Sequence, residues 1–215
     1  MMKTNDLIAA LQADHRGKAA LLPMATAWWL AGGLAIVTAA AVFQVSLGIR
    51  PDFAAVATGS LRFVFKFVIT VSLAAAAFVA AQRLSGPEAA PQALRWLVTA
   101  PLLLAVAVGI ELLATPAADW APLLIGENAK YCLTYIPLIG IGPLAAFIAV
   151  LRHGAPIRPA LAGAVAGLLA GGLAATLYGV HCTDDSPLFV AVWYSLAIAG
   201  LAGAGALLAR LFVRW

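Results

Sequence analysis

The sequence predicts an all-α integral membrane protein with six transmembrane helices, both termini cytoplasmic and a short N-terminal amphipathic helix. Three observations carry that prediction. Of 215 residues, 64% are apolar and 10% are charged, against roughly 45–50% and about 25% in soluble domains. Mean hydropathy is +0.99. Apolar runs long enough to cross about 30 Å of hydrocarbon recur six times, and basic residues gather on one side of them. Little chain remains for a soluble catalytic or nucleic-acid-binding domain, so the net charge of +4 reads as membrane topology, with no direct nucleic-acid partner.

The spans fall near residues 24–47, 63–82, 96–114, 132–151, 160–180 and 188–209. Between them lie break signals: Gly48-Ile49-Arg50-Pro51-Asp52, Ser85-Gly86-Pro87, Thr115-Pro116, Gly154-Ala155-Pro156 and Ser186-Pro187. Runs near twenty residues are far longer than barrel strands of about ten, which leaves helices. An even number of spans puts both termini on one side. That side holds Lys3, Arg16, Lys18, Arg83, Arg95, Arg152, Arg158, Arg210 and Arg214, and the other holds Arg50, Arg62, Lys66 and Lys130. The excess of positive charge makes the first side cytoplasmic. The expected location is the bacterial inner (cytoplasmic) membrane, multi-pass. The first apolar run is too long for a signal-peptide core and reads as an uncleaved span.

Two regions follow: a cytoplasmic arm over 1–23 and a six-helix membrane domain over 24–215. In the arm, Thr4 or Asn5 can cap a helix, Asp6 suits its positive first turn, and Leu7, Ile8 and Leu11 share one face. Such a helix can lie on membrane lipid or be presented to the groove of a soluble partner.

In the fifth span, Gly163, Gly167, Gly171, Ala175 and Gly179 recur at every fourth position. This small-residue stripe permits close helix packing within the chain or a homodimer through Gly163, Gly167 and Gly171. Lys66 and Glu111 lie within predicted spans, each about one turn from the outer end. Intramembrane charge is expensive and is normally paired or functional. A Lys66–Glu111 ion pair is the expectation, and a small transporter or channel organised around those two residues is the alternative.

The two cysteines, Cys132 and Cys182, both fall at the outer boundary, a periplasmic setting where disulfides form and exchange. His181 adjoins Cys182, and Lys130 and Tyr131 precede Cys132. Two thiols and an imidazole suit zinc or a softer metal, and a nearby cation favours the reactive thiolate. Cys132, Cys182 and His181 are thus candidates for redox sensing or heavy-metal ligation, beside a plain structural disulfide. No His-Glu-x-x-His or Gly-x-Ser-x-Gly motif is present. Neither an enzyme nor a resident cofactor is expected, although a quinone-linked thiol oxidase is conceivable.

Several segments together resemble one family. They are Lys3-Thr4-Asn5-Asp6-Leu7-Ile8, Arg50-Pro51-Asp52, Cys132-Leu133 through Ile136-Pro137-Leu138, and His181-Cys182-Thr183-Asp184-Asp185-Ser186-Pro187-Leu188-Phe189-Val190 with Trp193-Tyr194. The whole chain is similar to the NrsF family, six-span inner-membrane regulators of the extracytoplasmic-function sigma factor called sigma F. The resemblance implies an anti-sigma factor that sequesters its sigma factor from RNA polymerase and releases it under oxidative or heavy-metal stress. It also implies that Cys132 and Cys182 are the sensing pair, and, together with the amphipathic pattern, that Lys3, Thr4, Asp6, Leu7, Ile8 and Leu11 contact sigma.

Overall fold

A computed structural model describes residues 4, 6, 22–87 and 91–213. Thr4 and Asp6 are helical and exposed, and Leu22 and Pro23 lead into the first span; the other residues of the expected arm, Lys3, Leu7, Ile8 and Leu11 among them, lie outside the described residues. Among those described, the structure contains helices and no strand. Six helices are long and apolar enough to cross a membrane: α1 (Met24–Ser46), α2 (Leu61–Leu84), α3 (Gln92–Ala114), α4 (Ala129–Leu151), α5 (Pro159–Gly179) and α6 (Pro187–Phe212). They agree with the sequence-based spans to within about one turn. The connections add two short helices, Phe53–Gly59 and Trp120–Ile125, which the sequence reading did not separate from loop.

The most buried helix is α5 and the least buried is α3. Packing explains the order: α5 touches α6, α2, α4 and α1, whereas α3 leans mainly on α2. In lipid there is no hydrophobic drive between helices, so close backbone approach and van der Waals contact must hold them together. The glycine stripe supplies that approach. A Cβ on Gly163 would strike the Gly205 carbonyl and the Ala209 side chain, one on Gly167 would strike the Leu201 carbonyl, and one on Gly171 would press on Ile198. The stripe expected as a possible dimer face is therefore filled by α6 of the same chain. Gly163, Gly167 and Gly171 are all buried there, and they offer no surface to a second copy.

One end of the bundle, where α1 begins, is tied by a small aromatic cluster. Trp28 is 1% exposed, stacks on Phe147 of α4 and meets Phe78 of α2 edge-on. Its indole nitrogen donates to Ser85 Oγ at 2.9 Å, which answers the need of a buried N–H for a partner. Ser85 ends α2, and its own carbonyl accepts from Ala155 N in the α4–α5 loop at 2.8 Å. The other end is polar, and both cysteines lie there.

The packing predicts a contrast between glycines. Gly167→Val should lower the stability of the detergent-solubilised protein by about 1–3 kcal/mol, the usual range for overpacking. Gly200→Val, where a Cβ meets nothing within 4 Å, should leave the thermal midpoint nearly unchanged. Thermal unfolding of the two variants in one detergent checks this.

Candidate functional site

The α5–α6 loop, His181 to Ser186, is the centre of the polar end. Almost every residue in it has a partner on a different element. His181 Nδ1 lies 3.1 Å from the Gly48 carbonyl after α1. The Thr183 hydroxyl accepts from Asn128 Nδ2 at 2.9 Å. Asp184 Oδ2 accepts from the backbone N–H groups of Glu127 and Asn128, at 3.0 and 2.8 Å, and from Asn128 Nδ2 at 2.9 Å. The carboxylate thus lies against the start of α4, where free N–H groups and the helix dipole favour negative charge. Ser186 Oγ accepts from Leu188 N at 3.2 Å and caps α6, with Pro187 at the first helical position.

A turn at Gly126 makes the Asp184 contact possible. Its φ is +57°, and an added Cβ would meet the Phe189 ring and the Asp184 carboxyl at 2.5–2.8 Å. Only glycine combines that backbone with that clearance.

Two cations converge on the loop. Arg50 Nη1 and Lys66 Nζ each lie 3.1 Å from the Cys182 carbonyl oxygen. Each also pairs with Asp185, Lys66 at 2.5 Å and Arg50 at 3.2 Å. Lys66 is 2% exposed and Arg50 8%, and both stand over the Phe63 ring, at 5.1 and 5.7 Å from its centroid. Arg50 further holds Asp52 through two 2.7 Å hydrogen bonds. That contact raises the Arg50 guanidinium above its ordinary pKa and holds Asp52 below its own.

The expected Lys66–Glu111 ion pair is therefore not formed. Lys66 pairs with Asp185, and Glu111 pairs with Arg62 at 2.9 Å while accepting from Ser186 Oγ at 3.5 Å. The reason is topological. The α5–α6 loop folds over the end of α2 and offers a carboxylate nearer to Lys66 than α3 does. Transport through a Lys66–Glu111 pair loses its organising contact.

Cys132, in the first turn of α4, and Cys182 are free thiols, each with no measurable exposure. They lie within electrostatic reach of each other and of the phenols of Tyr178 and Tyr194. Tyr178 and Tyr194 are both fully buried, with ring centroids 5.8 Å apart. A five-residue π-helical segment, Val190–Tyr194, lies in the first part of α6 and ends on Tyr194, a local widening that often marks functional positions. Burial pushes the Cys182 thiol up from its ordinary value of 9.0, and the nearby Lys66 charge only partly opposes it. Both thiols are thus sheltered from solvent, and at Cys182 the loss of solvent outweighs the neighbouring cation. Among the described residues no three of His, Cys, Asp and Glu group as metal ligands.

Sequence reasoning marked Cys132, Cys182 and Lys66 but missed Asp185, Asp184, Arg50 and Arg62. The available signal is the run Asp184-Asp185 beside a cysteine, on the same side of the spans as Arg50, Arg62 and Lys66.

Two outcomes follow from the geometry. Asp184→Ala should cost about 1 kcal/mol of thermal stability, as for a lost helix cap, and should speed maleimide labelling of Cys132. Between pH 7 and 9, Cys182 in the folded protein should label on the order of tenfold more slowly than in the denatured chain. A thiol raised on folding keeps its proton where the unfolded chain loses it, so its contribution to stability declines as pH rises through 9.0. Mass-spectrometric labelling across this range reads the Cys182 rate, and thermal unfolding carried above pH 9.0 reads the loss of stability.

The family model described as negative regulator of sigma F, NrsF, matches residues 13–215. The anti-sigma-F factor NrsF of Caulobacter vibrioides is 37% identical over the full length of both chains. The probable anti-sigma-F factor NrsF of Azospira oryzae is 30% identical, again over the full length of both. No solved structure matches the chain. With six apolar helices in place and agreement along the whole sequence, the chain belongs to the NrsF family of negative regulators of sigma F.

Proposed function

We propose that this protein is a membrane-bound anti-sigma factor that holds a sigma factor of the extracytoplasmic-function type at the cytoplasmic face of the bacterial inner membrane. It releases that partner when the periplasmic thiols Cys132 and Cys182 react under oxidative or heavy-metal stress. The observation that carries the reading is full-length similarity to anti-sigma-F factors. The buried dithiol supports its sensory half. The amphipathic pattern of residues 1–23 supports its regulatory half, with Lys3, Thr4, Asp6, Leu7, Ile8 and Leu11 as the sigma contacts. The protein acts by binding and not by turnover.

Chemically, an oxidant would join the two sulfurs as they lose two protons and two electrons to it. A soft metal ion would instead displace the thiol protons and bridge the sulfurs. His181, turned toward Gly48, serves the loop in this scheme rather than the metal. Either event changes how the start of α4 sits against the α5–α6 loop. Each tenfold loss of sigma affinity requires about 1.4 kcal/mol of differential binding, within the 2–4 kcal/mol typical of one disulfide.

Co-purification from membranes tests the regulatory half: a co-expressed sigma F-type factor should be retained by the full chain and lost on deleting residues 1–20. A sigma-dependent reporter tests the sensory half. Cys132→Ser and Cys182→Ser should each abolish the response to dichromate or cadmium, and an unchanged response in both would refute cysteine sensing.

A further inference from the structure

The bundle has an aromatic end and a polar end, and α2 is fastened at both. At one end Lys66 grips the Cys182 carbonyl and Asp185. At the other, Ser85 accepts the indole N–H of Trp28 and the backbone N–H of Ala155. Lys66 and Ser85 are about 28 Å apart along a continuous helix. Trp28 stands in the second turn of α1, the helix that directly follows residues 1–23. A single rigid element thus has one end on the loop that carries Cys182 and the other on the root of the arm.

The two fastenings differ from general helix packing in being specific and buried. Lys66 is 2% exposed and Ser85 is 1% exposed. The Lys66 ammonium shares its two acceptors with Arg50, so a shift of the Cys182 backbone must redistribute both cations. Ser85 Oγ donates to the Ala81 carbonyl at 2.8 Å while accepting from Trp28, so movement of the end of α2 is felt directly at the indole. Between these points the side of α2 facing α5 is close-packed: a Cβ on Gly172 would sit 3.0 Å from Ala74 N. A close-packed helix of this kind moves as a body instead of absorbing a displacement locally.

We propose that Lys66 and Ser85 are positioning residues that transmit the state of Cys182 along α2 to Trp28 and the base of the arm. The assignment rests on the anti-sigma reading above and names the route by which that activity is regulated. Coupling along this route appears as an altered response at one site when the connector is changed.

The test is a sigma-dependent reporter in cells carrying the full chain, treated with the thiol oxidant diamide or with cadmium ion, at matched membrane abundance. Lys66→Met removes the outer fastening and Ser85→Ala the inner one, while both cysteines and the arm remain. Each variant should hold sigma within about twofold of wild type before treatment, and its induction should fall at least tenfold. Lys66→Arg, which keeps the charge and reach, should restore induction. A protein that merely misfolds would release sigma before treatment, and Ser85→Ala keeps the test decisive if Lys66→Met fails to insert. Wild-type induction in Ser85→Ala, or in both variants, overturns the proposal. Should Cys182→Ser abolish induction while Lys66→Met and Ser85→Ala leave it intact, the route is wrong and the sensory reading survives. Induction unaffected by Cys132→Ser and Cys182→Ser, or absent from wild type with both reagents, removes the sensory reading and the route together.

Discussion

The Asp185 carboxylate, placed between Lys66 and Arg50, is the contact on which the polar end of this molecule depends. Two buried cations at the edge of a membrane are untenable without a counter-charge, because desolvating an ion costs several kcal/mol even after relaxation. Asp185 provides that charge, and the Cys182 carbonyl provides a second acceptor to both cations. The backbone at Cys182 is thereby fixed by electrostatics as well as by packing. Removing one member of such a cluster leaves an uncompensated charge, so the pairing ties together the segments at residues 50, 66 and 185.

That cluster would have no mechanical meaning if the helices beneath it were loose. Close packing of α5 against α6 through Gly163, Gly167 and Gly205, and of α2 against α5 at Gly172 and Ala74, makes the interior stiff. Thr176 Oγ1 adds a 3.0 Å hydrogen bond to Thr70 Oγ1 across the α2–α5 contact. The loop from His181 to Ser186 then serves as a hub: it caps α6, faces the start of α4 through Asp184, and binds α2 through Asp185. Cys182 sits in this hub, and Cys132 sits on α4, one of the helices it aligns.

The six spans were legible because membrane crossing imposes length and hydropathy directly on the sequence. The small-residue stripe on α5 was legible as a packing face, although its partner was not: periodicity reports which side of a helix is smooth and says nothing about which helix lies on it. Lys66 was recognisable as a residue needing compensation, yet its partner was misassigned. Counting only residues inside spans leaves Glu111 as the nearest opposite charge, whereas the folded loop delivers Asp185 from outside them. Burial also reversed the expectation for thiol reactivity. Composition around a cysteine names its chemical neighbours but not the loss of solvent, and at Cys182 the loss of solvent dominates.

The dithiol and sigma binding are joined through affinity. The most direct test of that link is the equilibrium affinity of the purified, reconstituted protein for its sigma factor, measured with the cysteines reduced and again after diamide oxidation. The two dissociation constants should differ by tenfold or more, about 1.4 kcal/mol, and the difference should vanish in Cys182→Ser. Equal affinities in the two redox states of the wild-type protein, with the Cys132–Cys182 disulfide confirmed by mass spectrometry, would contradict it.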